Sequence, residues 1–161
     1  MIIIDSLNNS FEKLNLFLKR VLDIIISIIS LIILFPFFLL IGILIKIDSQ
    51  GDVVLRQKRL GKNGNSFNIF KFRTMVKNAS KKGTGFKVVE NDPRITRVGK
   101  VLRKFSLDEL PQLINVLRGE MSLIGPRPAL VRDFVRYDER QKRRLSMKPG
   151  ITCIWQTMPN R

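Results

Sequence analysis

Asp108 and Glu109 are adjacent carboxylates in a chain of 161 residues where 13 acids face 29 Lys and Arg, a formal charge of +16. The stretch that holds them, residues 105–128, reads FSLDELPQLINVLRGEMSLIGPRP. Arg103 stands five residues before Asp108, and Arg127 is fixed in a Gly-Pro-Arg-Pro turn at the far end. Leu110, Leu113, Ile114 and Leu117 follow the acidic pair at spacings of three and four, which predicts a helix with one buried face. A helix N-terminus favours an ionised carboxylate, and an ionised carboxylate can attack phosphorus to form an acyl-phosphate. Its neighbour can hold magnesium, which takes oxygen ligands and substrate phosphates. Guanidinium groups such as Arg103 and Arg127 match phosphate oxygens in a bidentate way. The pattern therefore reads as an acidic pair facing a phosphate pocket. A purely structural explanation competes with it. Ser106 and Glu109 have the Ser-x-x-Glu spacing of a capping box, and acids in a first helical turn offset the helix dipole without any chemistry.

Composition narrows the chemistry further. The chain has no histidine, which removes the usual neutral-pH base and every Ser-His or Cys-His pairing. Its one cysteine, Cys153, excludes an internal disulfide and a thiolate zinc site. No Gly-rich Walker-type loop is present, so the chain is not a P-loop NTPase. The excess of cations calls for a polyanionic partner: nucleic acid, phosphorylated substrates or an anionic membrane surface.

The elements that must position the acidic pair begin with a membrane segment. Residues 24–45 carry no charge, and at helical rise these 22 residues extend roughly 33 Å, enough for a bilayer core of about 30 Å. Pro36 lies near the middle and leaves the carbonyl of Ile32 without its helical partner. Two forms fit: a kinked spanning helix, or a re-entrant hairpin entering and leaving by one face. Lys13, Lys19 and Arg20 precede the segment, and Lys46, Arg56, Lys58 and Arg59 follow it. Positive flanks belong in the cytoplasm, and both flanks are positive, which favours the hairpin. Residues 11–20 form a basic amphipathic lead-in. Asp23, four residues after Lys19, reads as an ion pair at the membrane edge.

Beyond the membrane segment, residues 53–59 and 66–73 predict a β-hairpin around Gly61-Lys62-Asn63-Gly64. Its second strand ends in Lys71-Phe72-Arg73, with both cations on one face. Residues 77–85 read as a surface loop. A helix is expected from Thr96 to Lys104, with Val98, Val101, Leu102 and Phe105 on its apolar side. After Pro128, an amphipathic helix is expected to turn strongly basic at residues 140–144, a surface suited to anionic lipid headgroups. Pro149-Gly150 marks a turn, and residues 151–156 a short strand.

Three strings in the chain are long and ordered: IKIDSQGDVVLRQKRLGKNGNSFNIFKFRTM (45–75), NDPRITRVGKVLRKFSLDELPQLINVLRGEMSLIGPRP (91–128) and KPGIT (148–152). They resemble the bacterial sugar transferases, the monotopic phosphoglycosyl transferases that begin assembly of lipid-linked glycans. The resemblance runs from about residue 19 to residue 156. It implies transfer of a sugar-1-phosphate from a UDP-sugar to a polyprenol phosphate, undecaprenyl phosphate by expectation, in exopolysaccharide or lipopolysaccharide synthesis. Asp108 matches the family nucleophile that holds the phospho-sugar covalently, and Glu109 the partner that binds Mg2+. Arg103 and Arg127 match cations near the phosphates, and Lys71 and Arg73 fall on a motif expected to support the same pocket. Pro36 matches the break of the family's re-entrant membrane helix, inserted from the cytoplasmic face of the bacterial inner membrane.

The expected fold is therefore α+β and membrane-associated. It has an amphipathic lead-in (1–20), a re-entrant membrane helix (21–47) and a small cytoplasmic catalytic domain (48–161) with a β-hairpin and amphipathic helices. Expected partners are a UDP-sugar, polyprenol phosphate and anionic lipids, with no nucleic acid; a homodimer is left open. Phe35 stands before Pro36 where the family often has a hydroxyl residue. Cys153 replaces a common glycine, and the chain ends at Arg161, short for the family. The last point raises a catalytically dead membrane scaffold as one alternative. A membrane-anchored basic nucleic-acid-binding module is the other, but the sequence has no nucleic-acid motif to support it.

Overall fold

The structure, a computed structural model, describes residues 2–79, 89 and 92–153, with side chains in the first helix from Lys13 onward. Helix α1 (Ile2–Asp48) is a single helix that runs through Pro36. The lead-in and the apolar segment are thus one element without a boundary at residue 20, and Pro36 lies inside a helix instead of separating two. Most of its apolar side chains face outward, among them Ile32 at 71% exposure and Ile33 at 63%. An exposed apolar surface of this extent marks an interaction face and is compatible with membrane association.

Both flanks of the apolar run in α1 nevertheless rest on the same domain. Just before that run, Arg20 Nη1 and Nη2 donate to the carbonyls of Val116 and Leu117, 2.7 and 3.2 Å away. Asp23, which is buried, accepts from Lys19 Nζ (3.2 Å), from Ser122 Oγ (2.8 Å) and from the Leu123 amide (3.1 Å). The expected ion pair of Lys19 with Asp23 is present, and its carboxylate also fastens the helix to a strand a hundred residues away. At the other end Ile41 and Ile45 pack with Phe72 and Leu102, and Asp48 Oδ2 accepts from the Val98 amide at 2.8 Å.

The hairpin forms as its turn chemistry demands. Strand β1 (Val54–Leu60) pairs antiparallel with β2 (Ser66–Phe72). Asn63 and Gly64 take φ of 58° and 77°, the left-handed conformation that an Asn-Gly turn supplies. Directly paired residues share a face, so the register Leu55↔Lys71, Gln57↔Ile69 and Arg59↔Phe67 places Arg59 and Lys71 on one side of the hairpin. Strand β2 divides two cores. Ile69 joins Val116 and Met121 on one face, while Phe72 joins Ile41, Ile45 and Leu102 on the other. Asn115, fully buried, accepts from the Phe70 amide (3.0 Å) and donates to the Asn68 carbonyl (2.8 Å), satisfying the outer edge of β2.

Helix α2 (Arg97–Lys104) starts where expected. Thr96 caps it by accepting from the Gly99 amide, and Asp48 satisfies a second free amide. Its buried side is Gly99 and Leu102; Val101 and Phe105 are exposed, so the apolar face is narrower than the sequence reading. Gly99 lies against the Thr74 backbone, and a Cβ there would overlap the Thr74 carbonyl. Gly99→Ala is expected to cost about 1–3 kcal/mol, the range for overpacking, visible as a lowered melting temperature. Buried Asp92 and Arg94 fix the approach to α2. Arg94 Nη2 and Nε donate to Asp92 at 2.6 and 2.9 Å and hold its carboxyl well below the usual range.

The remaining elements are short. Helix α3 (Leu113–Leu117) is followed by β3 (Ser122–Ile124), β4 (Ala129–Leu130), α4 (Glu139–Lys142) and β5 (Gly150–Thr152). Strand β4 adds to the hairpin beside β1, and β3 pairs parallel with β5. The single amphipathic helix expected after Pro128 is instead β4, two 3-10 segments and the one-turn α4. The expected strand to Gln156 ends at Thr152, with residues from 154 onward outside the described set, as are residues 80–85 of the expected loop.

Candidate active site

The helix expected after the acidic pair is a 3-10 segment, Leu107–Gln112, that passes into α3. Pro111 lies inside it; a proline lacks the amide and crowds the preceding turn, so the chain winds in the tighter form before it can continue as α-helix. Leu113 is buried as expected, but Ile114 is exposed, and Asn115 and Val116 take its place in the interior. Ser106, at φ 55°, makes no side-chain cap. Glu109 turns away from it, toward Lys71 and Arg127, so the capping-box explanation does not hold.

Glu109 and Lys71 form the centre of the site. Lys71 Nζ donates to Glu109 Oε1 at 2.5 Å, and Arg127 Nη2 lies 3.7 Å from the same oxygen. Asp108 sits beside Lys71, with Arg103 and Glu109 as its other charged neighbours. Burial pushes the Asp108 carboxyl above the usual range; Glu109 adds to the rise, whereas Lys71 and Arg103 oppose it. The expectation that a helix N-terminus would favour ionised Asp108 is thus outweighed: six residues of 3-10 helix carry a small dipole, and desolvation is the larger effect. Arg103 is held by Thr74 Oγ1, which accepts from its Nε at 2.8 Å. Its helix rests on the Thr74 backbone through Gly99, so α2 and the segment just after β2 set the position of Arg103 together.

Two sequence-derived residues are not brought to this site. The strand ends at Phe72, and Arg73 turns instead toward the end of α1, donating to the carbonyls of Ile45, Ser49 and Gln50 at 3.3, 2.6 and 2.9 Å. A guanidinium there satisfies carbonyls that a helix C-terminus leaves open. Pro36 belongs to the exposed middle of α1.

One further residue lines the site. Arg59 shares a cleft with Lys71, Glu109, Gln112, Arg127 and Gly150. Sequence reading passed over it as a flanking charge, although the hairpin register puts it on the face of Lys71. The Gly125–Pro128 turn is held by close backbone contact with the Lys148–Gly150 strip: Gly150 donates to the Pro126 carbonyl at 2.9 Å, and a Cβ on either glycine would collide with backbone. Among the described residues no three His, Cys, Asp or Glu side chains cluster as a metal site. The two carboxylates do suit a hard cation that fills its other positions with water and phosphate oxygens.

The description of the bacterial sugar transferases matches residues 14–161. The chain belongs to the bacterial sugar transferase family. Its relatives include the exopolysaccharide production protein ExoY of Sinorhizobium fredii, 41% identical over 152 residues, covering 86% of this chain and 67% of that protein. The UDP-N-acetylgalactosamine-undecaprenyl-phosphate N-acetylgalactosaminephosphotransferase of Aeromonas hydrophila is 44% identical over 140 residues, 84% of this chain and 33% of the relative. The undecaprenyl-phosphate galactose phosphotransferase of Salmonella typhimurium is 40% identical over 164 residues, 92% of this chain and 34% of the relative. The chain thus spans about a third of the length of the two phosphotransferases and about two-thirds of ExoY. The family members named for their reaction transfer a phospho-sugar to undecaprenyl phosphate, and the α1 surface fits a sugar transferase that works at a membrane.

Proposed function

We propose that the chain transfers a sugar-1-phosphate from a UDP-sugar to a polyprenol phosphate, with undecaprenyl phosphate as the acceptor, through a phospho-sugar held on Asp108. The observation that carries this reading is a half-buried carboxylate, Asp108, under the charges of Lys71 and Arg103 and beside a second carboxylate already held by cations. In the first step an Asp108 oxygen bonds to the β-phosphorus. The bond from that phosphorus to the bridging oxygen breaks, and its electron pair leaves with UMP. In the second step an oxygen of polyprenol phosphate bonds to the same phosphorus, and the Asp108 carboxylate departs. Lys71, Arg103 and Arg127 supply positive charge where it is needed as oxygens gain negative charge. Glu109 would hold Mg2+ together with the diphosphate, where the ion offsets phosphate charge; Lys71 would then shift from Glu109 toward substrate.

The membrane arrangement supports the same reading. Lys19 and Ile45 are 26 residues apart, roughly 39 Å along a straight helix, yet both regions dock on one domain. A helix crossing the bilayer would carry its ends to opposite sides. Re-entrant insertion from the cytoplasmic face of the inner membrane accommodates both contacts and both basic flanks. Exposed Val101, Phe105 and Val135 stand among Lys100, Lys104, Arg132 and Arg136, a mixture suited to anionic headgroups at about 1 kcal/mol per cation. With Cys153→Ser as background, cysteines at position 13 and position 49 are expected to react with an impermeant thiol reagent from the same membrane face. Labelling from opposite faces would rule out re-entrant insertion.

The reaction is tested with purified protein in detergent, Mg2+, polyprenol phosphate and a panel of UDP-sugars. Release of UMP with one donor, and a stoichiometric burst plus a protein mass increase of one phospho-sugar when acceptor is withheld, are the expected results. Absence of UMP release from every donor by folded protein would overturn the proposal in favour of a scaffold.

A further inference from the structure

Charges around the site alternate: Arg103, Asp108, Lys71, Glu109, Arg127. The next group, Arg59, breaks the alternation. It is half-buried in the cleft, and burial followed by the like charge of Arg127 lowers its proton affinity, against the opposing pull of Asp133 and Glu109. Its Nη1 donates to the Pro128 carbonyl at a long 3.3 Å and its Nη2 to Gln57 Oε1 at 2.8 Å. Its Nε, shielded from solvent, has no hydrogen-bond partner among the described residues. Native interiors rarely leave such a donor unmet, because the desolvation penalty is then uncompensated. A strap role for Arg59 does not explain the arrangement. Backbone pairing of Arg59 with Leu130 already ties β1 to β4, and two neighbouring guanidiniums, whose repulsion Asp133 and Glu109 offset only in part, favour a further anion between them.

We propose that Arg59 is a substrate-contacting residue that forms, with Arg127, the subsite for the phosphate of the departing nucleoside monophosphate. The inference rests on the reaction proposed above and adds direction to it. Asp108 lies beyond Lys71, outside the cleft lining, in company with Arg103. The phosphorus under attack belongs at that end. The second phosphorus, one bridging oxygen away, extends past Glu109 toward Arg127 and Arg59. When the β-phosphorus bonds to Asp108, the bridging oxygen leaves with its electron pair and takes on negative charge. Arg59, by a small turn of its side chain, gives that phosphate the donors its present partners do not use. Positive charge placed where the leaving group gains its electrons accelerates the step.

The test compares wild type with Arg59→Met, Arg59→Lys, Arg127→Ala and the double variant Arg59→Met/Arg127→Ala. Melting temperatures establish folding, and Arg59→Lys serves if Arg59→Met does not fold. Expected for Arg59→Met is a rise of about tenfold in both the UDP-sugar KM and the UMP inhibition constant, the scale of one charge-assisted hydrogen bond. The polyprenol phosphate KM should stay unchanged. Arg59→Met should add its loss on top of Arg127→Ala. An unchanged UMP inhibition constant overturns the proposal, and so does the absence of any further loss in the double variant, which would make Arg59 a support for Arg127. Calorimetric binding of UMP separates this from failure of the reaction itself. Binding that weakens in Arg59→Met, in a protein releasing no UMP from any donor, sinks the reaction but keeps the subsite; no binding by wild type sinks the subsite.

Discussion

Asp108→Asn is expected to abolish UMP release and, in the same protein, to raise the melting temperature. Asparagine keeps the size of aspartate but cannot form an acyl-phosphate. Removal of a nucleophile commonly costs on the order of 10⁴-fold or more in turnover. The stability effect follows from the same burial. The folded-state carboxyl binds its proton more tightly than the unfolded one. Stability from that difference is present below the unfolded pKa and is lost as pH rises through the folded one. At neutral pH the ionised carboxylate therefore works against the fold, and a neutral amide removes the penalty. Activity that disappears while stability rises marks a residue kept for chemistry. Release of UMP at the wild-type rate would mean that another group attacks phosphorus.

Lys71→Met is expected to show the second largest loss, roughly 10²-fold in kcat/KM, a scale typical of removing one positioned charge near a developing anion. Its pH dependence is the sharper sign. Lys71 is the strongest of the charges that favour ionised Asp108. Without it the Asp108 carboxyl moves further up, and the acidic limb of the rate profile moves with it. The deficit should be larger at pH 6 than at pH 8, where deprotonation of Asp108 is more complete. Lys71→Arg should recover part of the loss and return the limb toward wild type. A deficit independent of pH would show that Lys71 serves only to hold Glu109.

The parts of the fold legible in sequence are those set by local chemistry. Asn63-Gly64 dictates its turn, Thr96 its helix start, and the charge-free run 24–45 its outward-facing apolar surface. The acidic pair with Arg103 and Arg127 was readable from residue type and spacing, and Lys71 joined them through the resemblance. Arg73 was misplaced because alternation along a strand says nothing about where the strand stops: one residue beyond Phe72, the side chain is free to seek the α1 carbonyls. Pro111 was overlooked because the spacing of leucines around it remains helical. Asp23 looked complete with Lys19 four residues away, and only the tertiary fold could reveal Ser122 and Leu123 as partners. Arg59 was hidden by its own abundance class, one cation among 29. Counting back through the hairpin from Lys71 would have placed it on the correct face.

The docking of α1 on both sides of its apolar run means that it is not a tether. A domain on a tether can be cut free and studied in water as a soluble truncation. Here a cut before Val53 would remove Ile41 and Ile45 from between Phe72 and Leu102, and Asp48 from the start of α2. The excised fragment would expose an open interior beside the helix that carries Arg103. The side chains that dock the apolar helix thus also support the helix that carries Arg103, and such a truncation is expected to melt at a lower temperature than the whole chain.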